Sequence, residues 1–207
     1  MIISAHDETE IIFLLDRSGS MYICEEDTIG GYNSFLDIQR RSSSRAFITT
    51  VMFDNHYEIL HNHIDIHRVK NLTEQEYFAR GSTALLDALG KVISEVSKRQ
   101  SEYEHQLKNI KTLVVIMTDG LDNASRKYNI KEIYGMIHEQ QDHHNWEFIF
   151  LGAGIDSVRT AQSIGISQDR AANFIKTSEG IRSKFDNVSQ TVSHFRESGE
   201  INSDWKK

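Results

Sequence analysis

The chain has 207 residues, of which 39% are hydrophobic, and it carries a formal net charge of −7. This length fits one domain with a sizeable core, although two small domains are possible. An acidic surface repels phosphates, which argues against nucleic acid as a partner, and the absence of any longer Lys or Arg run argues against a polybasic membrane anchor.

Cysteine usage and the chain start bear on the cellular compartment. Cys24 is the only cysteine, so no internal disulfide can form, which favours a reducing environment. The first ten residues lack the basic start and the long apolar stretch of a signal peptide. No apolar run approaches the roughly 20 residues that cross a bilayer. These features predict a soluble, cytoplasmic protein.

Apolar strands alternate with amphipathic helices along the whole chain. Ile11 to Leu15 is a continuous apolar run, typical of a strand that is covered on both faces. The further predicted elements, in chain order, are a helix around 29–36, a strand at 47–53, an antiparallel edge strand at 57–66, a helix around 85–96, a strand at 113–117, a helix around 130–137, a strand at 146–151, a short helix at 158–164, a strand at 173–176 and a helix at 181–195.

This alternation predicts an α/β fold, with an open, mostly parallel sheet and helices on both faces. No internal repeat, low-complexity segment or linker divides the chain. We therefore expect a single domain over residues 1–199, followed by a polar tail over 200–207 that frays.

Polar side chains follow two of the apolar strands. Asp16, Ser18 and Ser20 form an Asp-x-Ser-x-Ser pattern after the first strand, and Asp119 follows a later one. Thr83 precedes a helix on a separate loop. In such sheets ligands bind at the carboxyl ends of the strands, where the strand order reverses. If the two strands are neighbours there, the carboxylates converge, and an extended loop would turn Ser18 and Ser20 the same way.

These side chains offer hard oxygen ligands, which Mg²⁺ prefers. Two carboxylates and three neutral hydroxyls supply a divalent cation incompletely with anionic donors. A position therefore stays open for one further ligand, such as an Asp or Glu of a partner protein. The pattern predicts a site that binds a partner rather than one that performs chemistry.

The same residues resemble a known family. Asp16-Arg-Ser18-Gly-Ser20, Thr83 and Thr118-Asp119-Gly120 are similar to the metal-ion-dependent adhesion site (MIDAS) of von Willebrand factor A domains. Four segments, at 27–36, 80–88, 118–125 and 146–152, resemble a stand-alone bacterial and phage branch of that family. The resemblance spans roughly residues 10–195.

The resemblance implies a Rossmann-like, doubly wound sheet of six strands with one antiparallel edge strand. It implies that Mg²⁺ or Mn²⁺ is bound directly by Ser18, Ser20 and Thr83, with Asp16 in the site and Asp119 acting through water. It also implies a protein-binding module that is not an enzyme, in a bacterial stress-response or phage setting.

Simpler explanations exist for each residue. Asp16 and Ser18 suit a local turn that caps a helix, Thr83 suits a helix N-cap, and Asp119 with its following glycine suits a turn. A rival function is phosphate-ester hydrolysis of the haloacid dehalogenase kind. That chemistry needs a second Asp two residues after the first as acid and base, and this chain has Ser18 there.

Three further features are open to a functional interpretation. His61, His63 and His67 share one face if their strand is regular, which would suit Zn²⁺ or Ni²⁺, but a solvated edge strand is the simpler interpretation. Gly152-Ala-Gly154 lacks the third glycine of a dinucleotide motif and indicates a tight strand exit. Cys24 has no evident catalytic histidine, which favours a structural thiol.

Overall fold

The computed structural model describes residues 8–103, 110–154, 156–202 and 204–206. Residues 1–7 lie outside the described residues. They belong to the first ten residues, for which the sequence predicts no signal peptide. The strands are β1 (Glu8–Asp16), β2 (Arg45–Phe53), β3 (Tyr57–Asp65), β4 (Lys111–Thr118), β5 (Trp146–Ala153) and β6 (Ala171–Phe174). The α-helices are α1 (Glu25–Arg40), α2 (Leu85–Tyr103), α3 (Ile130–His144), α4 (Ser157–Ser163) and α5 (Ser178–Ser198). Within the described ranges, no helix combines the length and the apolar character needed to cross a membrane.

The six strands form one sheet in the order β3-β2-β1-β4-β5-β6. All neighbours are parallel except β2 and β3, which pair antiparallel at one edge. This confirms the predicted α/β fold, with its single antiparallel edge strand. The chain builds outward from β1 in one direction and from β4 in the other, so the strand order reverses between these two strands. Parallel pairing runs up to Leu15 and Met117, which sets the ends of β1 and β4 side by side.

Helices cover both faces of the sheet, and alternate residues of the central strands point to opposite cores. On one face, α1 and α5 pack over Phe13, whose ring stacks on Phe185 with the centroids 6.0 Å apart. On the other face, α2, α3 and α4 pack over Ile12 and Leu14. Truncation of a buried ring such as Phe185 to Ala costs about 3–5 kcal/mol, so the core between the sheet and helices α1 and α5 contributes substantially to stability.

The last strand and the tail differ from the prediction. β6 begins and ends two residues earlier than expected, because Thr177 caps α5 by accepting a hydrogen bond from the Gly180 amide at 3.1 Å. The chain must therefore leave the sheet after Phe174. Fraying is wrong for two tail residues: Ile201 and Trp205 are buried, and the Trp205 indole donates to the Asp169 carbonyl at 2.7 Å.

The expectation that three histidines share a face is also wrong. β3 carries an irregularity against β2, and His63 has a φ of 52°. His61 is buried and lies 3.1 Å from the Thr50 hydroxyl, on the α1 side of the sheet. His63 lies 3.0 Å from a Glu10 carboxylate oxygen, on the α2 side. His67 lies beyond the strand in a 3₁₀ turn, so the three rings do not form one ligand set.

Candidate metal site

Asp16 stands at the carboxyl end of β1 and is buried. Its Oδ1 accepts a hydrogen bond from the Ser18 amide at 2.7 Å, and its Oδ2 accepts one from the Thr118 hydroxyl at 2.5 Å. Burial raises the pKa of the Asp16 carboxyl, and the nearby charge of Asp119 raises it further, whereas the two hydrogen bonds lower it. The net shift is upward because burial, the largest cause, outweighs the hydrogen bonds from Thr118 and Ser18.

The two serine hydroxyls lie next to each other and reach the second carboxylate. Ser18 Oγ and Ser20 Oγ are 3.2 Å apart, and Ser20 Oγ donates to Asp119 Oδ1 at 2.6 Å. The extended loop considered from the sequence is not present. Gly19–Cys24 forms a 3₁₀ helix instead, and the Met21 amide donates to the Ser18 carbonyl. The hydroxyls meet because the chain turns, and the exposed position of Ser20 leaves the site open to solvent.

Thr83 reaches the same place from a second loop. The Gly19 amide donates to the Gly81 carbonyl at 3.1 Å, which ties this loop to the serine loop. Asn123 binds the Thr83 backbone on both sides: its side chain accepts from the Thr83 amide at 2.9 Å, and its amide donates to the Thr83 carbonyl at 2.9 Å. Three loops are therefore joined by backbone contacts around the side chains of interest.

Gly120 marks the point where the hydroxyls converge. A Cβ added at this glycine would lie 3.3 Å from Thr83 Oγ1 and 4.0 Å from Ser20 Oγ. Both oxygens thus flank the residue that follows Asp119. The structure brings all five predicted site residues to one end of the sheet, at the reversal of strand order.

Lys176 joins the site, and nothing in the sequence pointed to it. Its Nζ lies 2.5 Å from Asp119 Oδ2. The two groups form an ion pair, but the angles between them are not those of a hydrogen bond. The lysine lies in the loop after β6, at a position where the sequence predicts a strand. Its ammonium stands where the carboxylates favour a positive charge.

The donor set fits a small, hard cation. Every side-chain donor is an oxygen, and the two carboxylates carry a charge that the lysine offsets only in part. Among the described residues, no group of three or more His, Cys, Asp or Glu could hold a metal. A metal at this place therefore depends on the hydroxyls of Ser18, Ser20 and Thr83 together with the carboxylates.

A buried arginine fixes the serine loop from below. Arg17 is 1% exposed; its Nε donates to Asp54 Oδ2 at 3.2 Å and its Nη2 donates to Glu58 at 2.7 Å. Arg80 donates to the same Asp54 oxygen at 2.8 Å. Burial alone would raise the pKa of Asp54, but hydrogen bonds from Arg80 and His56, with the charge of Arg17, outweigh it and hold that pKa below its ordinary value.

Asp87 fixes the loop that follows Asp119. Its carboxylate accepts from the backbone amides of Arg126, Lys127 and Tyr128, at 3.0, 2.8 and 3.0 Å. Burial alone would raise the pKa of Asp87, but the hydrogen bonds from these three amides outweigh burial, and the pKa lies below its ordinary value. No role in the site was predicted for Asp54 or Asp87 from the sequence, and the only signal for Asp87 was its place four residues after Thr83.

The simpler explanations hold only in part. The Ser18 amide does close a local turn on Asp16, but Ser18 makes no side-chain cap to the following helix. Asp122, three residues after Asp119, accepts from the Ser125 hydroxyl at 2.5 Å and from the Leu86 amide at 3.3 Å. Cys24 is buried, and burial raises the pKa of its thiol, which does not suit a nucleophile.

Solved structures provide the comparison with known proteins. Proximal thread matrix protein 1 from the mussel byssus matches with a TM-score of 0.60 at 14% identity, over 91% of this chain and 47% of that one. A von Willebrand factor type A protein from Catenulispora acidiphila gives 0.58 at 15%, over 91% and 43%. The pilus adhesin SpaC from Lactobacillus rhamnosus GG gives 0.67 at 12%, over 92% and 30%.

The chain spans less than half the length of these proteins. A further structure of the mussel protein has a zinc-occupied MIDAS motif. No family model and no curated protein matches the sequence. At sequence identities this low, the matches show a likeness of fold alone. The chain has the fold of von Willebrand factor A domains.

Proposed function

We propose that this chain is a metal-dependent protein-binding module. Asp16, Ser18, Ser20, Thr83 and Asp119 would hold Mg²⁺ or Mn²⁺, and the loaded site would bind an Asp or Glu of a partner protein without chemical change. The observation that carries the proposal is the contact of Ser20 with Ser18 at 3.2 Å and with Asp119 at 2.6 Å, beside the Thr83 hydroxyl.

Each group of side chains has a separate task. A bound divalent cation supplies a Lewis-acidic centre that accepts a further oxygen ligand. The hydroxyls of Ser18, Ser20 and Thr83 contribute oxygen without charge, so they leave that centre attractive to a carboxylate. Asp16 is held by Thr118 and by the Ser18 amide, which fixes its orientation at the end of β1.

The structural neighbours support binding rather than catalysis. One is a pilus adhesin, and another has zinc in its MIDAS motif. The choice of Mg²⁺ or Mn²⁺ follows from the oxygen donors of this chain and not from that zinc. The bacterial or phage setting and the cytoplasmic location expected from the sequence belong to the same proposal.

Calorimetric titration of the purified chain with Mg²⁺ and with Mn²⁺ tests the metal site. We expect binding by the wild type, and a loss of at least tenfold in affinity for Asp16→Ala and for Thr83→Ala, because each removes an oxygen donor. Asp142→Ala, on the exposed face of α3, is the matched control and should bind as the wild type does. Absence of heat with both metals, in a folded sample, contradicts the proposal.

Partner binding is tested by affinity capture from a bacterial lysate, with Mg²⁺ and again with a chelator. Proteins retained only with metal, and lost with Thr83→Ala, are the expected partners. Phosphate-ester hydrolysis is the second candidate, and the serine at position 18 disfavours it. Sustained turnover of a phosphate ester with Mg²⁺, abolished by Asp16→Ala, would overturn the choice of a binding module.

A further inference from the structure

The most exposed large apolar side chains of the described residues lie around the candidate metal site. These side chains, termed here the apolar rim, are Ile175 (73% exposed), Tyr22 (70%), Ile23 (68%) and Leu121 (61%). The next in order of exposure, Ile130 at 51%, lies on α3. Each rim residue belongs to a loop that also holds a site residue or Lys176. Exposed apolar groups gathered at one place indicate an interaction surface.

The local structure holds Tyr22 and Ile23 outward. Both lie in the Gly19–Cys24 3₁₀ helix that follows Ser18, between Met21 and Cys24. Met21 and Cys24 are buried in the core formed with α1 and α5. The two exposed side chains therefore cannot turn inward without removing their neighbours from that core. Their exposure is a property of the fold.

Ile175 is anchored in the same way. Phe174 before it is buried in the same core, and Thr177 after it caps α5. Ser178 donates to Asp27 Oδ2 at 2.9 Å, which ties this loop to the start of α1, directly after the helix that carries Tyr22 and Ile23. The loop of Ile175 thus adjoins the part of the chain that carries the other two.

Leu121 extends the rim beyond Asp119. It lines a cleft that begins at Thr118 and Asp119 and continues over the carboxyl end of β5 to the start of α4. Phe150 contributes an apolar wall to this cleft, and Gly154 leaves it without a side chain at that point. An extended segment that passes the metal site would therefore meet apolar surface beyond Asp119 as well as beside the serine loop.

The charges at the centre select the partner. Asp16 and Asp119 balance a divalent cation, and Lys176 adds a positive charge, so the loaded site has a net charge of about +1 and complements a carboxylate. Resting on the proposed function, we propose that the partner segment is an acidic peptide whose Asp or Glu has large apolar neighbours. The carboxylate meets the charged centre, and the apolar neighbours remove the rim from water. A carboxylate among polar neighbours would leave the rim exposed.

A peptide array tests this proposal with the full chain. Each peptide has a central Asp and flanking positions that are all Leu, all Phe, all Ser or all Lys, and a set with central Asn controls for the carboxylate. In Mg²⁺ we expect the Leu and Phe peptides with central Asp to bind about tenfold or more tightly than the Ser peptides, because burial of one large apolar side chain is worth about that factor. A chelator should abolish the binding.

Matched variants assign the preference to the rim. Ile23→Ser and Leu121→Ser should each lose most of the apolar preference and keep metal-dependent retention of the Asp peptides. Ile130→Ser, an equivalent change on α3, should keep the wild-type preference. Equal binding of Leu and Ser peptides by the wild type overturns this inference and leaves the proposed function standing.

Two other results count against the inference for different reasons. If no Asp peptide is retained with metal, the proposed function fails, and the inference with it. If sedimentation shows a dimer that forms without metal and is lost with Ile23→Ser, the rim is covered by a second copy of this chain and the acidic peptide is the wrong occupant.

Discussion

Lys176 Nζ lies 2.5 Å from Asp119 Oδ2, so an ammonium neutralises the carboxylate that closes the candidate metal site. The Asp119 side chain is buried, and Lys176 is about one-third exposed. A cation that binds at Asp119 meets this ammonium as a neighbour of like charge. In the proposed site, the chain's own lysine would therefore compete with the cation for the same carboxylate.

We expect Lys176→Met to bind Mg²⁺ and Mn²⁺ about tenfold more tightly than the wild type, since loss of one like charge at this range is worth about 1 kcal/mol. Calorimetric titration at low and at high salt measures the effect, and salt should reduce it. Lys131→Met removes the same charge from an exposed position of α3 and is the control. Unchanged or weaker affinity in Lys176→Met would show that the lysine supports the site instead.

The buried pair of Arg17 and Asp54 leads to a prediction about stability. We expect Asp54→Asn to lower the free energy of unfolding by about 3 kcal/mol, because it leaves the Arg17 guanidinium buried with a weaker partner. Urea denaturation followed by circular dichroism measures this difference. Asp37→Asn breaks an exposed pair with Arg40 and should cost under about 1 kcal/mol. Equal effects of the two changes would contradict the structural role given to Asp54.

Acid should reduce the difference in the free energy of unfolding between the wild type and Asp54→Asn. The pKa of Asp54 in the folded chain lies below its ordinary value of 3.8, so the ionised carboxylate stabilises the fold fully at pH values well above 3.8. That contribution falls as the pH drops below about 3.8 towards the folded-state pKa. Urea denaturation of both proteins between neutral pH and the acid limit should show a constant gap that closes only at the acid end. A gap that closes near neutral pH would point to another group.

The fold was predictable because apolar periodicity is a local signal. Ile11 to Leu15 and Leu113 to Met117 are continuous apolar runs, and both are central strands of the sheet. The side chains that end or follow these strands stand at the strand-order reversal. Their convergence was expected only on the condition that the two strands are neighbours, and the sheet order of the structure meets that condition. The roles of these residues as metal ligands remain predictions.

Other parts of the site depend on tertiary contacts with no local signal. Lys176 is 57 positions from Asp119 along the chain and was expected in a strand. The early end of β6 is set by the cap at Thr177, and this places Lys176 in a loop. Arg17 lies between two predicted ligands, and only its contacts with Asp54 and Glu58 show that it is buried. A charged residue in a loop is usually exposed, so the residue type of Arg17 would have predicted exposure, whereas the side chain is buried.

Asp87 gives a prediction for a residue that lies outside the ligand set. It holds three successive amides of the loop after Asp119, and Asn123 of that loop binds the Thr83 backbone. We expect Asp87→Ala to weaken Mg²⁺ or Mn²⁺ binding about tenfold, because groups that orient metal ligands typically matter by that factor or more. The loop would lose its shared acceptor, and Thr83 would be held less firmly.

A fold control separates this positioning effect from unfolding. Circular dichroism and the urea midpoint of Asp87→Ala should show that the sheet persists, since β1 and β4 do not depend on this carboxylate. Asp87→Asn keeps one acceptor oxygen and should recover part of the affinity, whereas a merely structural loss would not distinguish Asn from Ala in the metal titration. If Asp87→Ala binds metal as tightly as the wild type while remaining folded, the loop after Asp119 does not need this anchor to present its carboxylate.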